Sequence, residues 1–237
     1  MASISARGCV RSGVQPPIED VAWPPSLLHL DFGGDFNQPI ERAEFPASLQ
    51  ELTFGEKFNQ PIEDVAWPPS LLHLQFVCDF NQPIERAKFP ASLQQLTFAN
   101  KFNQPVDDVR WPASLQEVSF GYRYDSNDNE ISSYSTFNQH IGSSIWPASL
   151  RRLTLGGGFR QSLQGLGTWM PNLEELSVLD YEFDSDTYSI VSSHEDSLLR
   201  GIEWPKGLRE LTVLDHSRLD GVVIPSTVKV YRPKLDI

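Results

Sequence analysis

The motif Phe-Asn-Gln-Pro returns at a fixed interval, and this interval constrains the fold more than any other feature of the chain. Three consecutive steps between its phenylalanines are 22 residues long, and the motif resumes further on. The copies begin at Phe36, Phe58, Phe80, Phe102 and Phe137, with a degenerate copy at Phe159. A fixed period of this size indicates a repeat architecture in which successive coils stack along one axis.

A second motif predicts one short strand in each coil. It follows an aromatic residue and a proline and has the form L-x-x-L-x-F, as in Leu49, Leu52 and Phe54. Alternating apolar residues over its last positions are typical of a strand with one buried face. Eight full coils and a partial C-terminal one can be counted. The rest of each coil contains two prolines, such as Pro39 and Pro46, which predict extended backbone rather than helix.

Together the two motifs resemble a known repeat family. The unit P-A-S-L-Q-E-L-T-F (46–54) is similar to the P-x-S-L units of bacterial effector leucine-rich repeats, and the whole pattern resembles the FNIP repeat, a 22-residue relative. The resemblance covers about 14–231. It implies a leucine-rich-repeat-like solenoid, a curved right-handed coil with one short parallel β-strand per repeat and little α-helix. We expect a tail over 1–13 and a single solenoid over 14–237.

The composition limits the partners and the compartment. The formal charge of −12 repels phosphate backbones and anionic lipid surfaces, so we expect neither nucleic acid nor membrane as a partner. No apolar run is long enough for a membrane span or a secretory signal. Cys9 and Cys78 cannot build a disulfide framework, which favours a reducing, cytoplasmic location. The alternative is organelle targeting, since residues 1–15 contain Ser and Arg but no acidic residue.

The asparagines of the first motif are expected to form a ladder. One amide in each coil can satisfy a backbone group of the neighbouring coil, which is a structural role and not a binding role. The residues are Asn37, Asn59, Asn81, Asn103 and Asn138.

Two adjacent 44-residue blocks, 21–64 and 65–108, are identical at all but nine positions. Six of the nine differences fall within or directly after a predicted strand, where a partner would touch the sheet. The alternative is neutral drift of exposed positions. Against drift alone, other residues that look exposed, such as His29, Gln38 and Glu41, have identical counterparts in the second block.

Two columns of polar residues are expected on the concave face of the sheet, one residue of each column per strand. The resemblance implies this placement, and the columns suit polar contact with a protein. The first column is charged and comprises His29, Glu51, His73, Gln95, Glu117, Arg152, Glu175 and Glu210. The second is small and hydrogen-bonding and comprises Asp31, Thr53, Gln75, Thr97, Ser119, Thr154, Ser177 and Thr212. Arg151 and Arg152 form a basic spot able to pair with carboxylates of a partner.

His29, Glu51 and His73 also raise the question of a metal. The two histidines lie two strands apart, about 9.5 Å between their backbones, whereas zinc holds its ligands at about 2 Å. A cross-strand His-Glu pair is therefore the interpretation we adopt, and we expect no metal and no cofactor.

The regular period breaks twice, at insertions near 121–136 and 179–197. Trp111 to Trp146 and Trp169 to Trp204 are each 35 residues apart, which places both insertions just after a strand. Loops of this kind often hold binding residues. Candidate anchors are Tyr122, Tyr124, Tyr134, Tyr181 and Tyr188.

A calcium site in the first insertion is the alternative to a solvated loop. Asp125, Asn127 and Asn129 match part of an EF-hand loop, but its glycine and final glutamate are missing.

The sequence predicts a non-catalytic protein-interaction module. It contains none of the serine hydrolase, zinc protease or phosphate-loop motifs, and its histidines are scattered. We expect a protein or peptide partner, no small-molecule cofactor, and a monomer outside any complex. The alternatives are a structural subunit of a larger assembly and, less well supported, a carbohydrate-binding surface.

Overall fold

The computed structural model describes residues 6–7, 18–121, 135–179, 182–184, 189–191, 198–213, 219 and 221–231. For 6–7, 182–184 and 189–191 only the backbone is described.

The described residues form one ten-stranded sheet in which the strands are parallel. Its order is β1-β2-β3-β4-β5-β6-β7-β8-β11-β12, so each coil places one strand beside the strand of the preceding coil. The strands are β1 (Ala6–Arg7), β2 (His29–Asp31), β3 (Glu51–Phe54), β4 (His73–Phe76), β5 (Gln95–Phe98), β6 (Glu117–Phe120), β7 (Arg152–Leu155), β8 (Glu175–Val178), β11 (Glu210–Val213) and β12 (Lys229–Tyr231). The expected solenoid, with eight full coils and a final partial strand, is confirmed.

Equivalent residues of successive coils face each other across the sheet. Leu52 pairs with Leu74, and Leu74 with Leu96, so every repeat position becomes a row along the solenoid. The register holds even across the first insertion, where Val118 pairs with Leu153. Because every coil is in phase, the apolar positions of the motif form continuous buried rows.

Stacked aromatic rings form the centre of the core. Phe54 and Phe76 stack with ring centroids 5.4 Å apart at an interplanar angle of 6°, and Phe58 and Phe80 stack at 6.0 Å and 7°. These four rings are almost completely buried. Burying a side chain of this kind contributes roughly 1.5–3 kcal/mol. One coil alone would leave both faces of its rings in water, so neighbouring coils stabilise each other.

The part of each coil opposite the sheet is made of turns and extended backbone. Leu49 N–H donates to the Pro46 carbonyl at 3.0 Å, and Ala43 N–H donates to the Ile40 carbonyl at 3.1 Å. The described helices are a 3-10 turn, Ile18–Asp20, and one short helix α1, Leu166–Trp169. The expectation of little α-helix is confirmed, because two prolines per coil prevent a regular helix.

Two segments add elements that the sequence pattern does not indicate. β1 lies in the stretch expected as a tail, yet it pairs with β2 in parallel, Ala6 opposite Leu30. Within the second insertion, β9 (Glu182–Asp184) and β10 (Ser189–Val191) form a separate antiparallel hairpin.

Candidate functional site

The exposed face of the sheet presents the two polar columns. In β3, β4, β5, β7, β8 and β11 the first and third residues are half-buried and the second and fourth are buried. The alternation follows from the two-residue period of a strand. The polar residues therefore lie on the side away from the core, and we call this surface the sheet face.

Two histidines share one carboxylate at the N-terminal end of the sheet face. Nδ1 of His29 lies 2.7 Å from Oε2 of Glu51, and Nδ1 of His73 lies 3.4 Å from Oε1 of the same residue. The predicted cross-strand His-Glu pair is confirmed. Over the part of the chain that the structure describes, no group of three or more His, Cys, Asp or Glu residues is arranged to hold a metal ion.

The basic spot expected at Arg151 and Arg152 is already neutralised by the chain's own carboxylates. Arg152 donates from Nε and Nη2 to Oε2 of Glu117, at 2.9 and 2.8 Å. Nε of Arg151 lies 3.5 Å from Oε1 of Glu174, whose other oxygen lies 3.5 Å from Nη1 of Arg209. Arg151 and Arg152 are thus part of a charge network on the sheet rather than free groups awaiting a partner.

Ser119 departs from the expected exposed column. It is 8% exposed, and its hydroxyl donates to the Gly121 carbonyl at 2.5 Å. The reason is local, because β6 runs directly into the first insertion and the hydroxyl satisfies the carbonyl at that junction. Asp31, at the other end of the column, is exposed, and its Oδ1 accepts the Gly33 N–H at 2.8 Å.

The predicted asparagine ladder is confirmed. It also includes the glutamine of the motif, which was not predicted as a partner. Oδ1 of Asn59 accepts the Asn81 N–H at 2.9 Å and also an N–H of the Gln82 side chain at 3.1 Å. The same arrangement links every described coil from Asn37 to Gln161. The constant glutamine of the motif was the available signal, and its constancy has a structural cause.

A second ladder is formed by the serine of each P-x-S-L unit. The Ser48 hydroxyl donates to the Leu27 carbonyl at 2.7 Å, and Ser70 does the same to Leu49 at 2.8 Å. Ser92, Ser114 and Ser149 continue the series. The repeated serine was visible in the sequence, but its acceptor lies in the preceding coil and could not be assigned from spacing alone.

Alternating charges line the edge of the sheet just after the strands. Lys57 pairs with Asp35, and Lys101 pairs with Asp79 at 2.7 Å. The hydrogen bond to Asp35 raises the pKa of Lys57, and that to Asp79 raises the pKa of Lys101. All four side chains are at least 38% exposed, so these pairs contribute little to stability.

Cys78 lies on the same edge. Burial, followed by the nearby carboxylates of Glu56 and Asp79, raises the pKa of its thiol, while Lys101 acts in the opposite direction. Its sulfur accepts an N–H of the Asn100 side chain at 3.5 Å. A thiol with a raised pKa is a weak nucleophile, so Cys78 is not a candidate catalytic residue.

The first insertion returns to the solenoid at Ser135, which packs against the next coil. The Ser135 hydroxyl donates to the Phe120 carbonyl at 3.2 Å. A Cβ at Gly158 would lie 2.1 Å from the Ser135 carbonyl oxygen, and one at Gly156 would lie 2.4 Å from the Ser135 Cβ. These two glycines leave space for the returning chain.

The tyrosines proposed as anchors (Tyr122, Tyr124, Tyr134, Tyr181 and Tyr188) and the calcium-like residues (Asp125, Asn127 and Asn129) lie outside the described residues. No helix in the described ranges has the length and apolar character to cross a bilayer.

The family model for the FNIP repeat matches the chain four times in succession, over residues 15–57, 36–79, 58–101 and 80–123. Residues 15–123 therefore contain tandem FNIP repeats. The matches step by 22 residues or nearly so, in phase with the strands β2 to β6. The asparagine ladder and the phenylalanine stack of this FNIP repeat region are therefore products of the family's repeat motif.

The chain is also similar to a solved structure, the crystal structure of CroV588, described as a novel circular LRR protein structure. The match has a TM-score of 0.50 and 26% sequence identity, and it covers 92% of this chain and 35% of that chain. The chain thus spans about a third of the length of the solved protein. No curated protein matches the chain.

Proposed function

We propose that the chain is a non-catalytic interaction module that binds a protein or peptide through the sheet face. The observation that carries this proposal is the regular display of polar side chains on a sheet whose opposite side is the core. Neighbouring strands of a parallel sheet lie about 4.8 Å apart, so the columns present a polar group at each step along the solenoid. Surfaces of this extended kind are what repeat solenoids use for binding.

The differences between the two duplicated blocks support the same surface. Asp31 is replaced by Gln75 and Glu51 by Gln95, while the core rows remain almost unchanged. Each replacement removes a negative charge from the face without changing the fold. A partner that lies along the face would therefore meet different groups at the two blocks, which provides register and orientation.

The two insertions are proposed as additional contacts with the partner, on the basis of their sequence. Their acidic and tyrosine-rich composition is suited to an interface that is polar at the rim and aromatic at its anchors. The similarity to FNIP and leucine-rich repeats favours a scaffold role in general, since such solenoids are typically non-catalytic.

The test is affinity purification with three forms of the chain. The first is the natural chain, the second is Gln75→Arg with Thr97→Arg on the sheet face, and the third is Ala91→Arg, an exposed position in the turn before β5. We expect the same partners with the first and third forms and their loss with the second, at unchanged circular dichroism. Retention of every partner by the second form would exclude the sheet face. Co-purification at a fixed stoichiometry, and no stable chain alone, would favour the structural-subunit alternative.

A further inference from the structure

We propose that the chain has a second interaction surface, away from the sheet, that binds an acidic segment of a partner protein. The surface is a groove along the turns that follow the Phe-Asn-Gln-Pro motif. We call it the basic groove. Arg86, Lys88, Phe89 and Arg110 line it together with three carboxylates, Glu63, Asp64 and Glu85. This second proposal does not rest on the function proposed for the sheet face.

Two cations of the basic groove have no partner among the described residues. Elsewhere on the described surface most basic groups are paired, such as Lys101 with Asp79 and Arg152 with Glu117. The guanidinium groups of Arg86 and Arg110, by contrast, have neither an ion pair nor a hydrogen bond within the described residues.

Lys88 forms only a long, exposed ion pair. Its Nζ lies 3.9 Å from Oδ1 of Asp64, and the two side chains are 78% and 84% exposed. An arginine side chain can bind a carboxylate through two parallel hydrogen bonds, so two free guanidinium groups beside a lysine are suited to a carboxylate-bearing partner.

The equivalent turns of the first block carry different charges. Position 44 carries Glu where its counterpart 88 carries Lys, and Ala66 stands where its counterpart 110 carries Arg. In the first block the only arginine of the equivalent turn, Arg42, has its Nη1 3.8 Å from Oε2 of Glu19. The charge reversal at 44 and 88 is thus one of the few differences between the blocks, and it lies outside the strands.

The remaining lining of the basic groove favours a short acidic segment over a long polyanion. Glu63, Asp64 and Glu85 also line it, and the chain has a net charge of −12. A polyanion such as nucleic acid is repelled by this background, whereas a short segment with a few carboxylates can reach the arginines alone. Phe89 is half-buried and stacks on Trp111 at 6.2 Å, so it offers an apolar contact beside the charges.

The experiment uses the full chain and a fluorescein-labelled extended peptide about ten residues long with glutamate at alternate positions. Fluorescence anisotropy measures its binding. Three probes serve for comparison: the peptide with glutamine in place of glutamate, the peptide with lysine, and a single-stranded oligonucleotide. We expect the glutamate peptide to bind at least about tenfold more tightly than each of them.

Two double variants use the chain's own alternative residues, which the fold already tolerates at the equivalent positions. Lys88→Glu with Arg110→Ala should weaken binding of the glutamate peptide by about tenfold or more. Glu44→Lys with Ala66→Arg should create a second site and raise the stoichiometry to two peptides per chain. A sheet-face variant that adds no cation, Gln75→Ala with Thr97→Ala, should leave this binding unchanged.

The proposal is overturned if the natural chain binds the glutamate and glutamine peptides equally. It is also overturned if the Lys88→Glu, Arg110→Ala variant keeps full affinity, or if the oligonucleotide binds more tightly than the glutamate peptide. The affinity purification tests binding by the sheet face, and the anisotropy experiment tests binding by the basic groove. Either proposal can therefore be overturned without the other.

Discussion

Oδ1 of Asn59 accepts the backbone N–H of Asn81 at 2.9 Å, one coil further along the solenoid. Replacing Asn59 by alanine leaves this N–H and the Gln82 amide without their acceptor. An unsatisfied, partly buried donor costs about 1–3 kcal/mol, so Asn59→Ala should lower the free energy of unfolding by that amount. Asn59→Asp keeps a side-chain oxygen in place and should cost clearly less. Urea unfolding compares the two, and equal losses would contradict the ladder.

Gly158 should not tolerate a side chain. Its Cβ would lie 2.1 Å from the Ser135 carbonyl oxygen, which is backbone and cannot move aside cheaply. We expect Gly158→Ala to destabilise the chain by about 1–3 kcal/mol through overpacking. The matched control is Gly207→Ala, whose Cβ would meet only the Leu173 carbonyl oxygen at 3.6 Å. An equal change in the midpoint of thermal unfolding for both variants would show that the contact between Ser135 and Gly158 does not need this space.

Glu51 should matter little for stability despite its two histidine neighbours. Its side chain is 47% exposed, and exposed ion pairs contribute about 1 kcal/mol or less. Glu51→Gln introduces the residue that the second block has at Gln95, and it should change the free energy of unfolding by less than about 1 kcal/mol. Leu52→Ala, at the adjacent buried position, should cost about 2–5 kcal/mol. Similar losses for both variants in urea unfolding would mean that the histidine-glutamate cluster supports the fold.

Cys78 should react slowly with alkylating reagents at neutral pH. Burial and the carboxylates of Glu56 and Asp79 raise the pKa of its thiol, and only the thiolate reacts. In a Cys9→Ser background, the rate with iodoacetamide should lie below that of a small free thiol and should increase as the pH rises. Glu56→Gln removes one of the groups that raise the pKa and should accelerate the reaction at a given pH. A fast, pH-independent reaction would be incompatible with this environment.

Much of the sheet face could be predicted, because a position in one coil repeats in the next. The pairing of His29 and His73 with Glu51 follows from strand alternation and coil spacing alone. The burial of Ser119 and the ion pairs of Arg151 and Arg152 were not predicted. A hydroxyl or guanidinium group bonds to an acceptor that only the folded chain brings close to it.

The 22-residue period by itself determined the solenoid, its buried phenylalanine rows and the outward polar columns, because identical coils can bury their apolar sides only by stacking in phase. The tertiary structure alone decided which charges neutralise one another. Glu117 and Arg152 are 35 residues apart and meet only because the insertion is accommodated while β6 and β7 stay in register. Likewise, Arg86 and Arg110 have no ion pair among the described residues, because side-chain reach, and not sequence spacing, sets each contact.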